Sequence, residues 1–476
     1  MSISLGLNTA VRALITQQQA LNTVAHNIAN ANTPGYSRQD VQLITTEPFT
    51  LPSQNRSALA GQIGTGVTIA QIRRLRDQFL DAQFRLQNQA LGMQDAVAQG
   101  LHNVEDFFNE PSNQGLANEI SQFFNKWRDL TNDPSNQASR LSLRAQAADM
   151  TSFIRGAAVQ LVQQQQNLDQ QVLGKVDQIN SLAQRISSLN DQIGKVLAVG
   201  DTPNDLRDRR DLLVDQLSRI VRITAFEDDR GNENITLGGT QLVGQNYVNT
   251  MKTQLNGVTG FRDLIWADNS AVNVTGGEMR GVLDLRDTTV AGILANLNTL
   301  AAMLLNAVNA QHQLGHTLND TTNNSLNSAT GISFFTAVAG KEAATIDVSA
   351  DILADPNNIA AATNPNAPGD SGNADAIASL QFQLLMSGGT TTMEDFYRGI
   401  ISTLGSQGQQ ADNQSANQLL LVQHIDTSRQ AISGVSIDEE ATKQIEFQRG
   451  FEAAARVVST FDSMLDTLIN HMGAGR

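Results

Sequence analysis

The sequence predicts a mainly α-helical fold with a β-rich middle. Coiled-coil helices are expected at both ends, with a rod of long helices and an outer β-rich domain between them. Three observations support this fold class. Apolar residues repeat at heptad spacing near both ends of the 476-residue chain. Residues 137–199 contain no proline and keep a helical apolar period. After residue 221, short β-branched runs alternate with glycine-containing turns.

The first element is an amphipathic helix that starts close to the N-terminus. Its apolar side chains recur every seven residues, which is typical of a coiled-coil seam. A single helix of this length is marginally stable in water, so it needs a partner. The seam consists of Leu7, Leu14, Leu21 and Ile28, with Val11 and Ala25 at intermediate heptad positions.

A second seam at the other end supplies that partner. No proline follows Pro368, so long helices are allowed there. We expect the two terminal helices to run side by side, so that their apolar residues form an assembly interface and the middle of the chain projects outward. The C-terminal seam alternates in steps of four and three through Phe447, Phe451, Ala454, Val458, Phe461, Leu465 and Leu468.

Between the two ends, long helices alternate with hairpins. Residues 137–199 predict a helix of roughly 90 Å, at about 1.5 Å per residue. Further helices are predicted over 75–108 and 282–308. The predicted domains are a terminal assembly domain (1–60 and 435–476), a rod domain (61–220 and 376–434, with helix 280–314) and an outer β-rich domain (221–279 and 315–375).

Composition narrows the function classes. The formal net charge of −15 disfavours nucleic acids and anionic membranes as partners, because they carry the same sign of charge. Zero cysteines exclude disulfides, thiol nucleophiles and cysteine-based metal sites. No uninterrupted apolar run of about 20 residues is present, so we expect no membrane insertion. The start also lacks the features of a secretory signal peptide, which by itself favours the cytoplasm.

The stretch "NIANANTPGYSRQ" (27–39) predicts an abrupt helix end. Asparagine side chains can bond nearby backbone groups there. Pro34 cannot continue a helix, Gly35 permits positive φ, and Tyr36 can anchor the turn.

This stretch resembles the N-terminal signature of flagellar axial proteins, carried here by Asn27, Ala29, Asn30, Thr33, Gly35 and Tyr36. Residues 203–218, 276–287, 306–319, 369–381 and 433–469 resemble segments of the hook-associated protein 1 family in the expected order. Flagellins lack the "ANTPGY" stretch, and hook and rod proteins lack the run of long helices over 75–221. The outer domain is shorter than in the larger members of the family.

The resemblance implies a structural subunit that joins the flagellar hook to the filament. Members of this family are exported unfolded through the flagellar type III apparatus, which accounts for the missing signal peptide. They polymerise into a homo-oligomeric layer next to the hook protein and the second hook–filament junction protein. We expect residues 1–30 and about 437–476 to be loosely ordered in the free monomer and to become paired helices only in this layer, because each seam is short. An export chaperone holds the C-terminal helix beforehand. No cofactor is implied.

Several groups of polar residues have spacings that resemble catalytic or metal sites, but none of them predicts an enzyme. His312 and His316 have a spacing that suits a metal, but no third ligand is offered. Asp208, Arg209, Arg210 and Asp211 are interpreted as a solvated helix face with local ion pairs. "EDDRGNEN" (227–234) lacks the spacing of a calcium loop and predicts a hairpin turn.

Two rival functions stay open at this point. The chain could be another axial protein, a hook or distal rod subunit, although those subunits pass quickly from the N-terminal helix into β domains. It could also be a secreted adhesin or cell-wall hydrolase with axial-type ends, but the middle shows no paired catalytic carboxylates.

Overall fold

A computed structural model of the chain describes residues 2–48, 64–108, 115–320, 331–467 and 469. The predicted fold class is confirmed, since helices dominate and the strands form small sheets. The helices are α1 (Ser2–Asn30), α2 (Gln78–Phe108), α3 (Leu116–Asn132), α4 (Gln137–Ala198), α5 (Asn204–Ile220), α6 (Glu278–Asp284), α7 (Ala291–His312), α8 (Glu342–Thr345), α9 (Ala350–Ala354), α10 (Gly372–Ser379), α11 (Met393–Ser433) and α12 (Ile437–Asp466). The strands are β1 (Gln39–Thr45), β2 (Val67–Arg74), β3 (Thr224–Glu227), β4 (Glu233–Leu237), β5 (Thr240–Val243), β6 (Met251–Leu255), β7 (Arg262–Trp266), β8 (Phe335–Thr336) and β9 (Asp347–Val348).

Helix α4 is the axis of the fold. It has 62 residues, so the helix predicted over 137–199 is confirmed to within a residue. Asn136 caps its first turn by accepting hydrogen bonds from the backbone N–H groups of Ala138 and Ser139. Helices α2, α3, α5, α7 and α11 pack against α4 or against each other, and their buried apolar residues form one hydrophobic core. No described residue of α1 or α12 belongs to that core.

The helix predicted over 282–308 is longer than expected. Helices α6 and α7 are joined by a π-helical turn, Leu285–Val290, into one helix from residue 278 to residue 312. By length and composition this helix could cross a membrane. Its buried residues, however, recur every three or four positions along α7, as on the core face of an amphipathic helix. They are Ile293, Leu297, Leu300, Ala301, Leu304 and Val308.

The two β-containing segments of the middle lie at different levels of α4. Asn180 bonds to the backbone of Met251 in β6, whereas Arg155 contacts Ile346 and Asp347 beside and within β9. The strands of residues 224–266 pair only with one another in the described part of the chain, and β8 pairs with β9. The segments predicted as one outer β-rich domain therefore form separate small sheets along the rod.

The terminal helices α1 and α12 pack side by side and antiparallel, as the sequence predicts. Helices α2 and α11 form a second antiparallel pair, joined by bonds from His102 to Asp412 and from Gln418 to Gln87. One hairpin was not predicted: β1 and β2 pair antiparallel next to α1. The domain boundary predicted at residue 60 separates these two paired strands, so the hairpin belongs to one unit.

Candidate functional site

The conspicuous sequence motif lies where the terminal helix pair meets the rest of the protein. Helix α1 ends at Asn30, whose side-chain amide donates to the His26 carbonyl. The chain then makes a turn over residues 33–36, closed by the Tyr36 N–H and the Thr33 carbonyl at 3.1 Å. Pro34 and Gly35 occupy its centre, and Gly35 has φ +80°, as a type II turn requires. A Cβ on Gly35 would also lie 3.1 Å from Leu212 of α5.

Asn27 is the centre of this junction, and it is buried. Its Nδ2 donates to the Gln39 carbonyl and to Glu440 Oε2, each at 2.9 Å. Its Oδ1 accepts from the Gln39 N–H at 2.9 Å and from the Tyr36 hydroxyl at 2.7 Å. These four bonds use the full capacity of an amide side chain. Asn27 thus joins the end of α1 to β1 and to the start of α12.

Glu440 completes the junction from the C-terminal side. It is fully buried, and its Oε1 accepts from Arg38 Nε at 2.7 Å. The Arg38 backbone N–H also donates to the carbonyl of Ser433 at the end of α11. We call Asn27, Tyr36, Arg38, Gln39 and Glu440 the hub. A buried carboxylate is stable only when it is paired and hydrogen-bonded, and the hub supplies both conditions.

Burial and three nearby carboxylates raise the pKa of Tyr36 well above its usual range. The carboxylates are those of Asp205, Asp208 and Glu440. The hydroxyl therefore stays protonated and can donate to Asn27.

A buried ion network lies directly behind the hub. The two are linked by the Ser37 N–H, which donates to Asp208 Oδ2 at 2.8 Å. The network connects β2, α2, α5, the β3–β4 hairpin and α11. We define it as arginines Arg74, Arg76, Arg85, Arg210 and Arg429 with carboxylates Asp81, Asp208, Asp211, Asp215, Glu227 and Glu233.

Asp211 has the most cationic surroundings in this network. Its carboxylate lies 2.8 Å from Arg74, 3.3 Å from Arg76 and 3.4 Å from Arg85. Burial alone would raise the pKa of Asp211, but the arginines outweigh it and lower that pKa to about 2. For Asp208 and Glu233 burial prevails and raises the pKa of each carboxyl.

This network corrects the prediction for residues 208–211. Asp208, Arg210 and Asp211 are buried, and only Arg209 faces solvent. A solvated face was expected because exposed ion pairs are the common outcome for such a cluster. Here the partners come from elsewhere in the chain, since Arg74 and Arg85 belong to β2 and α2.

The helix pair itself packs through small residues as well as apolar ones. A Cβ on Gly6 would lie 2.5 Å from Phe461 Cζ, so the Phe461 ring occupies the space above this glycine. Gly450 receives Gln17 in the same way. On α12 the predicted seam faces α1: Ala454 is buried and Phe447, Phe451, Val458, Phe461 and Leu465 are half-buried. Leu468 lies outside the described residues.

The predicted α1 seam is only partly on the contact face. Leu7, Leu14, Leu21 and Ile28 are half-buried, while Val11 and Ala25 are exposed. The fully buried positions are mostly small or polar. Helix α1 meets the β1–β2 hairpin there as well as α12, since the Thr16 hydroxyl donates to the Val67 carbonyl. The buried positions are Ala10, Thr16, Ala20, Thr23, Val24 and Asn27.

Besides Ile437 and Ile445 in the first third of α12, four large apolar side chains of the pair are exposed in the single chain. Val11 and Ile15 are 39% and 57% exposed on α1. Val457 and Met464 are 45% and 50% exposed on α12, seven residues apart and therefore on one face. We call these four residues the outer apolar set.

The two histidines considered as metal ligands have structural contacts. His312 is buried, its Nδ1 lies 2.7 Å from the Ile332 carbonyl, and its Nε2 accepts from the Ala360 N–H at 2.9 Å. His316 Nδ1 lies 2.5 Å from Asp320 Oδ2. No cluster of three metal-ligating side chains occurs among the described residues.

Burial of His312 predicts how the stability of the protein changes with pH. Burial lowers the pKa of His312 to about 4, so the folded protein keeps it neutral. The unfolded chain takes up a proton as the pH falls through about 6.5. We therefore expect this residue to cost about 3 kcal/mol of unfolding free energy between pH 6.5 and pH 4. Urea unfolding as a function of pH should show a shallower dependence in His312→Gln than in the wild type. His424→Gln, at an exposed position, should keep the wild-type slope.

The turn weighed as a calcium loop is a hairpin. Asp228 accepts hydrogen bonds from the backbone N–H groups of Arg230 and Asn232 and from the Asn232 side chain. These bonds lower the pKa of Asp228. The carboxylate therefore closes the β3–β4 connection.

Arg38, Gln39, Glu440 and the network partners of α5 were not identified from the sequence. One signal was present: Asp208, Asp211 and Asp215 are spaced three and four apart, so they share one helix face. The basic run of Arg73, Arg74 and Arg76 offered the complementary charge.

Models of known protein families match both terminal helices and part of the middle of this chain. A family model described as the flagellar hook-associated protein FlgK helical domain matches residues 101–327. A flagella basal body rod protein model matches residues 7–36, and the C-terminal model of the flagellar basal body rod FlgEFG proteins matches 428–471. The two rod-protein matches coincide with the two helices that meet at the hub.

Full-length relatives agree. Flagellar hook-associated protein 1 of Bacillus subtilis is 34% identical over 100% of this chain and 99% of its own length. The protein of the same name from Escherichia coli is 26% identical, covering 98% and 99%. The flagellar hook junction protein FlgK from Burkholderia pseudomallei has a similar fold, with a TM-score of 0.64 at 17% identity over 74% of this chain and 100% of that one.

Proposed function

Because the chain belongs to the flagellar hook-associated protein 1 family, we propose that it is a structural subunit that joins the flagellar hook to the filament and polymerises through its paired terminal helices. The observation that carries this proposal is the α1–α12 pair, which is complete within one chain yet keeps the outer apolar set exposed. Apolar side chains on a slender helix pair are favourable contacts for neighbouring copies.

The contacts within a single chain support a second role for the terminal helices besides assembly. Helices stable only in the polymer were expected, because each seam is short. In the single chain, however, α1 and α12 already cover each other. The hub also anchors the end of the pair at which α1 ends and α12 begins. We propose that the two faces of the pair have different roles. The apolar residues between α1 and α12, which we call the inward seam, hold the pair together, and the outer apolar set contacts neighbouring subunits.

The remaining partners follow from the family. We propose export through the flagellar type III apparatus, with a chaperone on the C-terminal helix before export. In the assembled flagellum the neighbours would be further copies, the hook protein and the second junction protein. The FlgK-type match over residues 101–327 favours this assignment over a hook or rod subunit. We propose no enzymatic activity.

Two variants of α12, one double and one single, distinguish the outer apolar set from the inward seam. Val457→Asp with Met464→Asp should leave the pair folded but prevent filament growth, because a charge at a subunit contact must lose its hydration. Val458→Asp should instead separate α12 from α1. Amide exchange of the purified protein distinguishes the two cases, and electron microscopy of cells carrying each variant reports assembly.

Gln448→Asp is the matched control, since Gln448 is an exposed polar position on the same helix. Cells with this control should build normal filaments. Normal filaments on the Val457→Asp, Met464→Asp protein would contradict the proposed assembly surface.

A further inference from the structure

A cleft of about 720 Å³ opens between β2, the start of α2, α5 and β3. Its lining contains four carboxylates, those of Asp81, Asp211, Glu227 and Glu233, and more arginines than carboxylates. The cleft therefore carries two excess positive charges on a chain whose net charge is −15. The arginines are Arg73, Arg74, Arg76, Arg85, Arg207 and Arg222.

Three of these arginines have unused hydrogen-bonding capacity. The Arg222 guanidinium makes no ion pair or hydrogen bond with any residue in the described part of the chain. Among the described side chains, the Arg73 guanidinium is within reach only of the Gln42 amide. Arg207 binds Glu227 through Nη2 at 2.7 Å, but its Nε is buried without an acceptor among the described residues. Guanidinium groups with free N–H donors bind carboxylates and phosphates, often through two parallel hydrogen bonds.

The cleft also contains an unused acceptor. Gln89 is 7% exposed, and its Oε1 has no donor within the described ranges. A buried carbonyl oxygen without a donor is unfavourable, so an occupant is expected to supply an N–H or O–H group. A simple inorganic anion offers acceptors to the arginines but meets this second requirement poorly. A peptide offers both carboxylates and backbone N–H groups.

The shape of the cleft also suits a peptide. Strands β2 and β3 are both edge strands, since β2 pairs only with β1 and β3 only with β4 among the described strands. Edge strands of this kind can bind extended segments. Leu86 and Phe226 line the same cleft and are 49% and 57% exposed, so apolar contacts are available beside the arginines.

We propose that this cleft binds an extended acidic segment of a partner protein, in which acidic and apolar residues alternate. The carboxylates would contact Arg73, Arg207 and Arg222, while apolar side chains would lie on Leu86 and Phe226. Charge complementarity selects the occupant, because the rest of this acidic chain repels acidic segments and leaves the cleft as the favourable place to bind. The proposal is independent of the assembly surface on the terminal helices.

The test uses the full chain and fluorescein-labelled synthetic peptides. Fluorescence anisotropy should show binding of Glu-Val-Glu-Val-Glu-Val and no comparable binding of Gln-Val-Gln-Val-Gln-Val. The double variant Arg73→Glu, Arg222→Glu should weaken the acidic peptide by at least about tenfold, because two favourable charge pairs become repulsive. Neither arginine pairs with a carboxylate of the residues that the structure describes, so thermal unfolding of the variant should stay close to that of the wild type.

Arg209→Glu is the control, since it makes the same kind of charge change on an exposed α5 position outside the cleft lining. It should leave peptide binding within about twofold. Equal binding of the acidic and glutamine peptides, or equal weakening by Arg209→Glu, would overturn the proposal. Complete displacement of the peptide by millimolar phosphate would assign the cleft to free anions instead. Sedimentation showing self-association that the double variant abolishes would assign it to a second copy, and would equally reject a partner segment.

Discussion

Asn27→Leu is expected to release the terminal helix pair α1–α12 from the rest of the protein, which we call the body, and to prevent the hook–filament connection. Leucine matches the size of asparagine but makes none of its four hydrogen bonds. The Gln39 backbone and part of the Glu440 carboxylate would then be buried without partners. Each such group costs about 1–3 kcal/mol, so we expect a local loss of about 3–5 kcal/mol.

The effect should be confined to the hub and the helices that it anchors. Amide exchange should become faster in α1 and α12 while α4 stays protected, and the mutant cells should lack filaments. Asn22→Leu is the matched control, because Asn22 is exposed on the same helix. Unchanged exchange of α1 in Asn27→Leu would show that the hub does not hold the pair.

Asp211→Asn is expected to destabilise the whole body. The substitution keeps the shape of the side chain but removes the charge that three buried arginines share. Breaking a buried ion network at one member costs about 3–5 kcal/mol, because the remaining charges lose their compensation. Urea unfolding at pH 7 measures the change, and Asp229→Asn, at an exposed position, should leave the midpoint unaltered.

The same substitution should change the response to acid. Because the pKa of Asp211 is about 2 in the folded protein, its stabilising effect is present above pH 4. It is lost as the pH falls from about 4 to 2, when the folded state must also protonate this group. Asp208 and Glu233 have the opposite effect on acid stability, since burial raises the pKa of each carboxyl. Each binds a proton more readily in the folded than in the unfolded state, so a falling pH favours the folded state at these two positions. Asp211→Asn should therefore lose less stability than the wild type over this range.

Local features of the chain were predictable from the sequence. Helix α4 was located almost to the residue, because the absence of proline and the apolar period are local properties. The end of α1 was located for the same reason, since Pro34 and Gly35 act on their own backbone. The seam of α12 was identified as well, because large apolar residues dominate that face.

Apart from the pairing of the two terminal helices, most features that depend on distant residues were not predictable. Whether Asp211 is solvated or buried depends on Arg74 and Arg85, which lie in other elements. Asn27 resembles a helix-capping residue in sequence, and only the position of Glu440 makes it a hub. The buried face of α1 also differs from the predicted seam. Helix α1 packs against the β1–β2 hairpin as well as against α12, and it buries Ala10 and Ala20 rather than the leucines.

The bond between Asn27 and Glu440 joins residues separated by 413 positions in the chain. Contacts of such long range form late in folding, because the intervening loop must first lose its conformational freedom. A subunit that folds after passage through a narrow export channel could therefore complete its body before this bond closes. The hub would then form only after the C-terminal helix has been exported. A truncated subunit that lacks Glu440 would therefore be unable to anchor the α1 end of the helix pair.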